Sequence, residues 1–262
     1  DASDGFGNSI DRMAVGGSIG STPHDLDRDS NASSTPTTRG DVGLQADGAI
    51  RVSETDGELR VVLAEALGLA GLAGAGAIVL TVRDSADLDA HLTLLRAGRV
   101  RFAETGDRAV PRGRIVAAGA ITLRAGDNVT TDSNAMVLAG TSIDIHGDWS
   151  PTTQTDPDPH YGSTITLLGE LAAGMPGNPA TMGTGSSTDN YVINVWGNND
   201  SDHIALGDPT GVAGTTTIGS PGYVRLGSDL RAHGGNDLDA TNGFDGEDDF
   251  TIWFLQSMNV AL

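Results

Sequence analysis

The sequence predicts an all-β chain wound as a right-handed parallel β-solenoid (a β-helix) with coils of about 22 residues; a β-sandwich is the alternative. Three observations lead there. The 262 residues include 37 Gly and 10 Pro but only 4% aromatics, and Gly and Asp favour turns over helix interiors, which disfavours a helical bundle. Long Val/Ile/Leu segments argue against disorder for most of the chain. Finally, a short apolar–x–apolar pattern recurs at near-constant spacing, as stacked repeats require.

Taken in order, the pairs are Ile50/Val52, Ile78/Leu80, Val100/Phe102, Ile121/Leu123, Ile143/Ile145 and Ile165/Leu167. From Ile78 to Ile165 they step by 21 or 22 residues. Ile193/Val195, Val224/Leu226 and Ile252/Phe254 continue the pattern at 28 to 31 residues, and Ile50 precedes Ile78 by 28. The surplus in the longer intervals reads as surface loops, at 64–74 and 175–188. Alternate side chains of a strand point to opposite faces. Ile78, Val100, Ile121, Ile143 and Ile165 should therefore stack in one interior row, and Leu80, Phe102, Leu123, Ile145 and Leu167 in a second. Coils about 4.8 Å apart would make the nine pairs a rod of about 40 Å. Gly and Asp would take the corners, where positive φ is useful. The Leu/Asn consensus of leucine-rich repeats is missing, and a sandwich would not require one inward pair to recur at a fixed interval.

Three segments follow from this. Residues 1–46 are rich in Ser, Thr, Gly and Asp and read as a polar arm or linker, or as an arm that orders against a neighbour. Residues 47–196 hold the solenoid coils, and 197–262 an Asp/Gly-rich continuation. The most apolar stretch, 61–82, is about long enough to span a bilayer. It carries Glu65 and several Gly, so two strands around a small-residue excursion are expected instead. The start at Asp1, without an initiator Met or a signal-like segment, suggests a processed chain or a piece of a longer one.

There is no Cys, which excludes disulfides and thiolate chemistry. All 15 basic residues are Arg, which excludes a Lys Schiff base, a P-loop lysine and a Lys–Asn crosslink. Only six of the 35 acidic residues are Glu, and the net charge is −20. Such a charge disfavours nucleic acid, whose binding rests on neutralising phosphates, and favours soluble, cation-attracting surfaces. His24, His91, His146, His160, His203 and His233 are scattered and form no HExxH. A loose G-x-S-x-G-like run at 183–187 lacks the strand–elbow–helix context of a hydrolase. The residues expected between the inward pairs are Val79, Arg101, Thr122, Asp144 and Thr166, a row with one carboxylate. Asp144, Asp148 and Asp158 would converge only if the 148–160 loop folds back. No catalytic residue is assigned. Trp149, Trp196 and Trp253 stand near strand ends, where loop packing is expected and sugar stacking is the alternative.

Residues 234–242 and 243–251 are consecutive nonapeptides that resemble the RTX (haemolysin-type) repeat G-G-x-G-x-D-x-U-x. Gly243, Gly246, Asp248 and Phe250 match in one, and Gly234, Gly235 and Asp239 in the other. An isolated copy at 197–205 matches at Gly197, Asp202 and Ile204. Together with the strand, Gly-Asp and Pro/Asp-loop order of 124–165, residues 48–254 resemble a module of large repetitive bacterial surface proteins. These are the RTX-type calcium-binding proteins and the filamentous-haemagglutinin-like β-solenoid adhesins. The resemblance implies calcium between turns of adjacent coils, with hard carboxylate oxygens as ligands. The candidate ligands are Asp237, Asp239, Asp245 and Asp248, then Asp200 and Asp202. It also implies a secreted, extracellular or cell-surface setting. The expected function is a non-enzymatic structural module of an adhesin, surface layer or filament. It would assemble head to tail with copies of itself or flanking modules, without nucleic acid or membrane insertion, and with surface polysaccharide as a further partner. No amphipathic capping helix is legible at either end, and the apolar run 250–255 should be covered by such a contact. A parallel β-helix enzyme or binding module acting on polysaccharide is the alternative.

Overall fold

The computed structural model describes residues 10–30, 40–69, 76–85, 89–103, 105–151, 157 and 163–173, and then the strands within 192–196, 203–206, 216–219, 223–226, 250–252 and 260–261. Among these residues there is no helix. The chain starts with β1 (Ile10–Ala14) and β2 (Leu26–Arg28), then β3 (Asp41–Ala46) and β4 (Ile50–Glu54). Next come β5 (Leu59–Ala66), β6 (Ile78–Val82) and β7 (Leu92–Leu94), then β8 (Gly98–Phe102) and β9 (Gly106–Val110). A regular set follows: β10 (Arg114–Ala117), β11 (Ile121–Arg124), β12 (Val129–Thr131), β13 (Met136–Ala139), β14 (Ile143–His146) and β15 (Thr164–Leu167). The last strands are β16 (Gly169–Ala173), β17 (Val192–Trp196), β18 (His203–Leu206), β19 (Thr216–Gly219), β20 (Tyr223–Leu226), β21 (Phe250–Ile252) and β22 (Val260–Ala261).

From β10 to β18 each strand pairs in parallel with the third strand after it, and β20 then pairs with β22. The ladders are β10–β13–β16–β19, β11–β14–β17–β20 and β12–β15–β18–β21. They belong to a 12-stranded and an 8-stranded sheet. These parallel sheets are compatible with a β-solenoid and unlike the antiparallel ladders of a sandwich.

Strand alternation builds the core. In β11, Ile121 and Leu123 are fully buried while Thr122 and Arg124 are partly exposed. In the 8-stranded sheet Ile50, Ile78, Ile121 and Ile143 stack in register, and Val52, Leu80, Leu123, Ile145 and Val195 form the next row. In the 12-stranded sheet Leu59, Leu92, Val129 and Ile165 share one row. Ala46, Ala66, Ala117, Ala139 and Ala173 share another, beside the turns into the next strand. These residues join one continuous apolar core.

The expected rows need correction. Ile121 and Ile143 stack as expected, but Ile165 lies in the other sheet against Val129, and Leu167 against Thr131. The partner of Ile143 is Ile193. Ile252 pairs with Leu206 instead of continuing the Val224 row. The physical reason is that each period contains three strands of the same apolar alternation. The insertion between β14 and β15 brings a different strand of the set to the 22-residue mark. Val100 and Phe102 belong to neither row, because β8 pairs antiparallel with β9. The surplus loop expected from residue 64 starts later, since β5 continues to Ala66. Within the 1–46 segment, β1 and β3 join the 12-stranded sheet and β2 the 8-stranded one.

The β8–β9 hairpin rests on a bulge. Val42 pairs with Val61 and Gly43 with Leu63, so Val62 is the extra residue. Before the bulge β5 pairs with β7, and after it with β10. Val62 and Leu63 pack with Val100, Phe102 and Val110 in a second apolar cluster, flanked by Met13 and Leu95. The approach is close: a Cβ on Gly98 would lie 2.7 Å from Val62 Cγ1.

Candidate functional site

At the N-terminal end of the described residues the two outermost strands pair on one side only. β1 pairs with β3 and β2 with β4. Among the described residues the opposite edges of β1 and β2 have no ladder partner. Ile10, Ala14 and Leu26 extend the core to this end and stay only partly buried. Beside Ile10 opens a cavity of about 370 Å³ lined by Ile10, Asp11, Arg12, Asp27, Arg28, Asp29 and Thr55. Its rim is mostly charged. Arg28 Nε is buried there without a hydrogen-bond partner. Ion pairs link this end to the next repeats: Arg83 to Asp27 of the rim at 2.5 Å, and Arg51 to Asp25 at 2.9 Å.

A second feature runs along the corner that follows the strands of the 8-stranded sheet. Glu54, Asp84, Asp127 and Asp148 close or follow β4, β6, β11 and β14, and they are 0%, 7%, 5% and 1% exposed. Glu54 Oε1 accepts the Ser30 N–H at 2.7 Å and Oε2 accepts the Ser30 hydroxyl at 2.6 Å. Burial pushes the Glu54 carboxyl up to about 7, against the pull of these Ser30 hydrogen bonds. Asp127 Oδ2 accepts the Ala90 N–H at 2.6 Å, with His91 Nδ1 at 3.8 Å. Burial raises this carboxyl too, while the Ala90 N–H and His91 oppose the rise. Asp148 sits at φ 48 and its N–H donates to the Asp127 carbonyl. Neighbouring Asn128 lies 3.2 Å from His91 Nδ1 and accepts the Thr164 N–H at 2.6 Å. Glu54 and Asp127 thus bond backbone N–H groups of segments 24 and 37 residues away in sequence, which stitches those segments to the corner. Among the described residues no three His, Cys, Asp or Glu gather as a metal-binding group.

Sequence reasoning placed Asp at corners, and the Gly-Asp pairs 126–127 and 147–148 carry that signal. It missed Glu54 and Asp84, which have no preceding Gly. A Cβ on Gly126 would lie 2.4 Å from Asp84 Cα, so this Gly serves close packing between the two corners.

The expected metal ligands Asp200, Asp202, Asp237, Asp239, Asp245 and Asp248 lie outside the described residues. So does Trp253, and the Trp196 side chain with it. On the outer face of the 8-stranded sheet Val79, Thr122 and Asp144 stand in register behind Arg51. Arg101, expected in that row, is in the hairpin, and Thr166 is in the other sheet. Arg124 stacks over the Trp149 ring at 4.9 Å. Burial and nearby Arg51 lower the Arg124 pKa, and Asp25 and Asp144 offset them. No family model, curated protein or solved structure matches this chain.

Proposed function

We propose that the chain is a right-handed parallel β-solenoid that serves as a non-enzymatic structural module of an extracellular bacterial adhesin, surface layer or filament. Its ends would pair with copies of itself or with flanking modules. The observation that carries this reading is that, among the described residues, β1 and β2 each have one edge without a ladder partner, with the partly buried Ile10, Ala14 and Leu26 extending the apolar core to it. Unpaired edges template further strands, and head-to-tail contacts that do not close produce filaments. Sedimentation and electron microscopy across a concentration series test it. Elongating, salt-tolerant oligomers are expected; a monodisperse monomer at high concentration overturns the reading.

Calcium at Asp237, Asp239, Asp245 and Asp248, with Asp200 and Asp202, is part of the same proposal and rests on the sequence resemblance. Ligand bound only by the native state raises stability by RT ln(1 + [L]/Kd). The melting temperature should therefore rise from chelator to millimolar calcium, and an unchanged value removes the metal from the proposal.

The second reading, a polysaccharide binder, draws support from the Arg124–Trp149 stack beside Asp144 on the outer sheet face. Saturable quenching of tryptophan fluorescence by oligosaccharides, lost in Trp149→Ala, would favour it.

A further inference from the structure

The hairpin β8–β9 is an addition to the repeat. The connection from β12 to β13 takes only residues 132–135, and that from β15 to β16 only Leu168, whereas β7 reaches β10 through the whole hairpin. The ladders do not need it, yet it is firmly seated. Val100 and Phe102 are 2% and 1% exposed against Val62 and Leu63. The backbone N–H of Arg101 donates to Asp11 Oδ2 at 2.5 Å. Gly43 has no room for a side chain, since a Cβ there would lie 2.4 Å from Val100 Cγ1.

This seated hairpin and its roots concentrate positive charge. Arg96, Arg99, Arg101, Arg108, Arg112 and Arg114 are six of the chain's 15 arginines, within 19 residues that hold only Glu104 and Asp107 as acids. Glu65 pairs with Arg108 and Arg114 at the root, and Asp107 with Arg99 and Arg101. Glu65 and Asp107 are thus each shared between two guanidinium groups. The side chains of Arg99 and Arg101 remain 60% and 49% exposed. The opposite charge lies elsewhere in the same sequence: residues 125–262 carry 18 acids against Arg225 and Arg231.

We propose that the hairpin face bearing Arg99 and Arg101, with the exposed Arg96 at its root, is a docking surface for a second copy of this chain, engaging the neighbour's carboxylates laterally. Charge complementarity carries the choice of partner. Two chains of net charge −20 repel each other unless a local patch of opposite sign is presented. Arginine also suits the role, because its planar fork takes a carboxylate through two hydrogen bonds. The contact is independent of the end-to-end pairing proposed above, and the two differ in salt response. Exposed charge pairs are screened by salt, whereas strand-edge and apolar contacts persist.

Sedimentation velocity of the whole chain at about 20 mM and about 500 mM NaCl, spanning the change in Debye length, provides the test. Association at low salt is expected, weakened roughly tenfold or more at high salt. Arg96→Glu/Arg99→Glu/Arg101→Glu should remove the low-salt association while circular dichroism stays unchanged. Arg99→Gln/Arg101→Gln, which keeps the hairpin's shape, should weaken it in the same direction. Association that ignores both salt and these substitutions overturns the proposal while leaving end-to-end pairing standing. Absence of association at low salt overturns it as well. Hairpin-dependent binding of a sulfated polysaccharide without self-association reassigns the surface to that ligand and also overturns it.

Discussion

The repeats from β10 to β15 and the stretch from β5 to β9 are made of similar sequence and behave differently. In the first, strands of three or four residues pair only in parallel, and as far as β14 they follow short turns. In the second, a bulge at Val62 splits one strand between two partners, and the chain leaves the sheets as an antiparallel hairpin. The segments Ile121–Arg124 and Gly98–Phe102 carry the same apolar–x–apolar code. The code therefore specifies a strand without specifying its partner. The turn helps to make the choice: β9 opens at Gly106, whose φ is 74. Gap length does not decide it, since the three residues 118–120 between β10 and β11 lead the chain into the other sheet, whereas β8 and β9 pair antiparallel across a gap of the same length.

The largest difference should appear in the cores. Ile143 is fully buried between Ile121 and its partner in β17, so Ile143→Ala removes part of a stack spanning several repeats. A loss of about 2–5 kcal/mol is expected in denaturant titration. Val100→Ala, in the small hairpin cluster, should cost less, about 1–2 kcal/mol at roughly 0.8 kcal/mol per buried methylene. Equal losses would mean that the hairpin belongs to the same cooperative core.

The next effect separates the corner from both cores. The Glu54 carboxyl is raised by burial from 4.5 to about 7. Between those values the native state binds a proton that the unfolded chain has released, so stability falls as pH rises. The contribution is intact below about 4.5 and lost by about 7, a span worth roughly 3 kcal/mol. Glu54→Gln keeps the shape without the charge and should flatten this slope in melts from pH 4 to 8. An unchanged slope would shift the cause to Asp127, whose burial acts in the same direction.

Legibility followed the same division. The all-β class and the pairing of Ile50 with Ile78, and of Ile121 with Ile143, were readable because spacing and alternation arise from the local chain. The place of Ile165 was not, because an insertion elsewhere shifts the count. Val62 looked like any strand residue, since a bulge is defined by its partner strand. The corner role of Glu54 depends on Ser30, 24 residues earlier, and no local pattern marks that contact. The hairpin was no easier to read, because gaps as short as 103–105 also separate β10 from β11 and β13 from β14.

Glycines sharpen the contrast further. Gly98→Ala would place a Cβ 2.7 Å from Val62 Cγ1, a side chain fixed in a packed cluster. Overpacking of this kind costs about 1–3 kcal/mol. The strain should stay local: amide exchange should accelerate over residues 98–110 and remain slow in β11 and β14. Acceleration in those ladders as well would show that hairpin and repeats unfold as one unit.

The smallest effect concerns surface ion pairs that bridge repeats. Arg83 and Asp27 meet at 2.5 Å, the shortest separation among the pairs at the N-terminal end of the described residues, but their side chains are 51% and 58% exposed. Arg114 and Glu65, at the hairpin root, also meet at 2.5 Å with exposures of only 24% and 13%. Distance alone would rank them equally. Water and salt screen the first pair, and ordering two long side chains costs entropy, so exposed pairs contribute about 0.2–1 kcal/mol. The second pair is better shielded, and Glu65 also holds Arg108, so removing Glu65 leaves two guanidinium groups without their carboxylate. A double-mutant cycle on Arg83→Ala and Asp27→Ala should give a coupling at the low end of that range, vanishing at high salt. The cycle on Arg114→Ala and Glu65→Ala should give a larger coupling that survives added salt. Equal couplings, or a reversed order, would mean that exposure does not govern these pairs, and that the root of the hairpin is held by its apolar cluster alone.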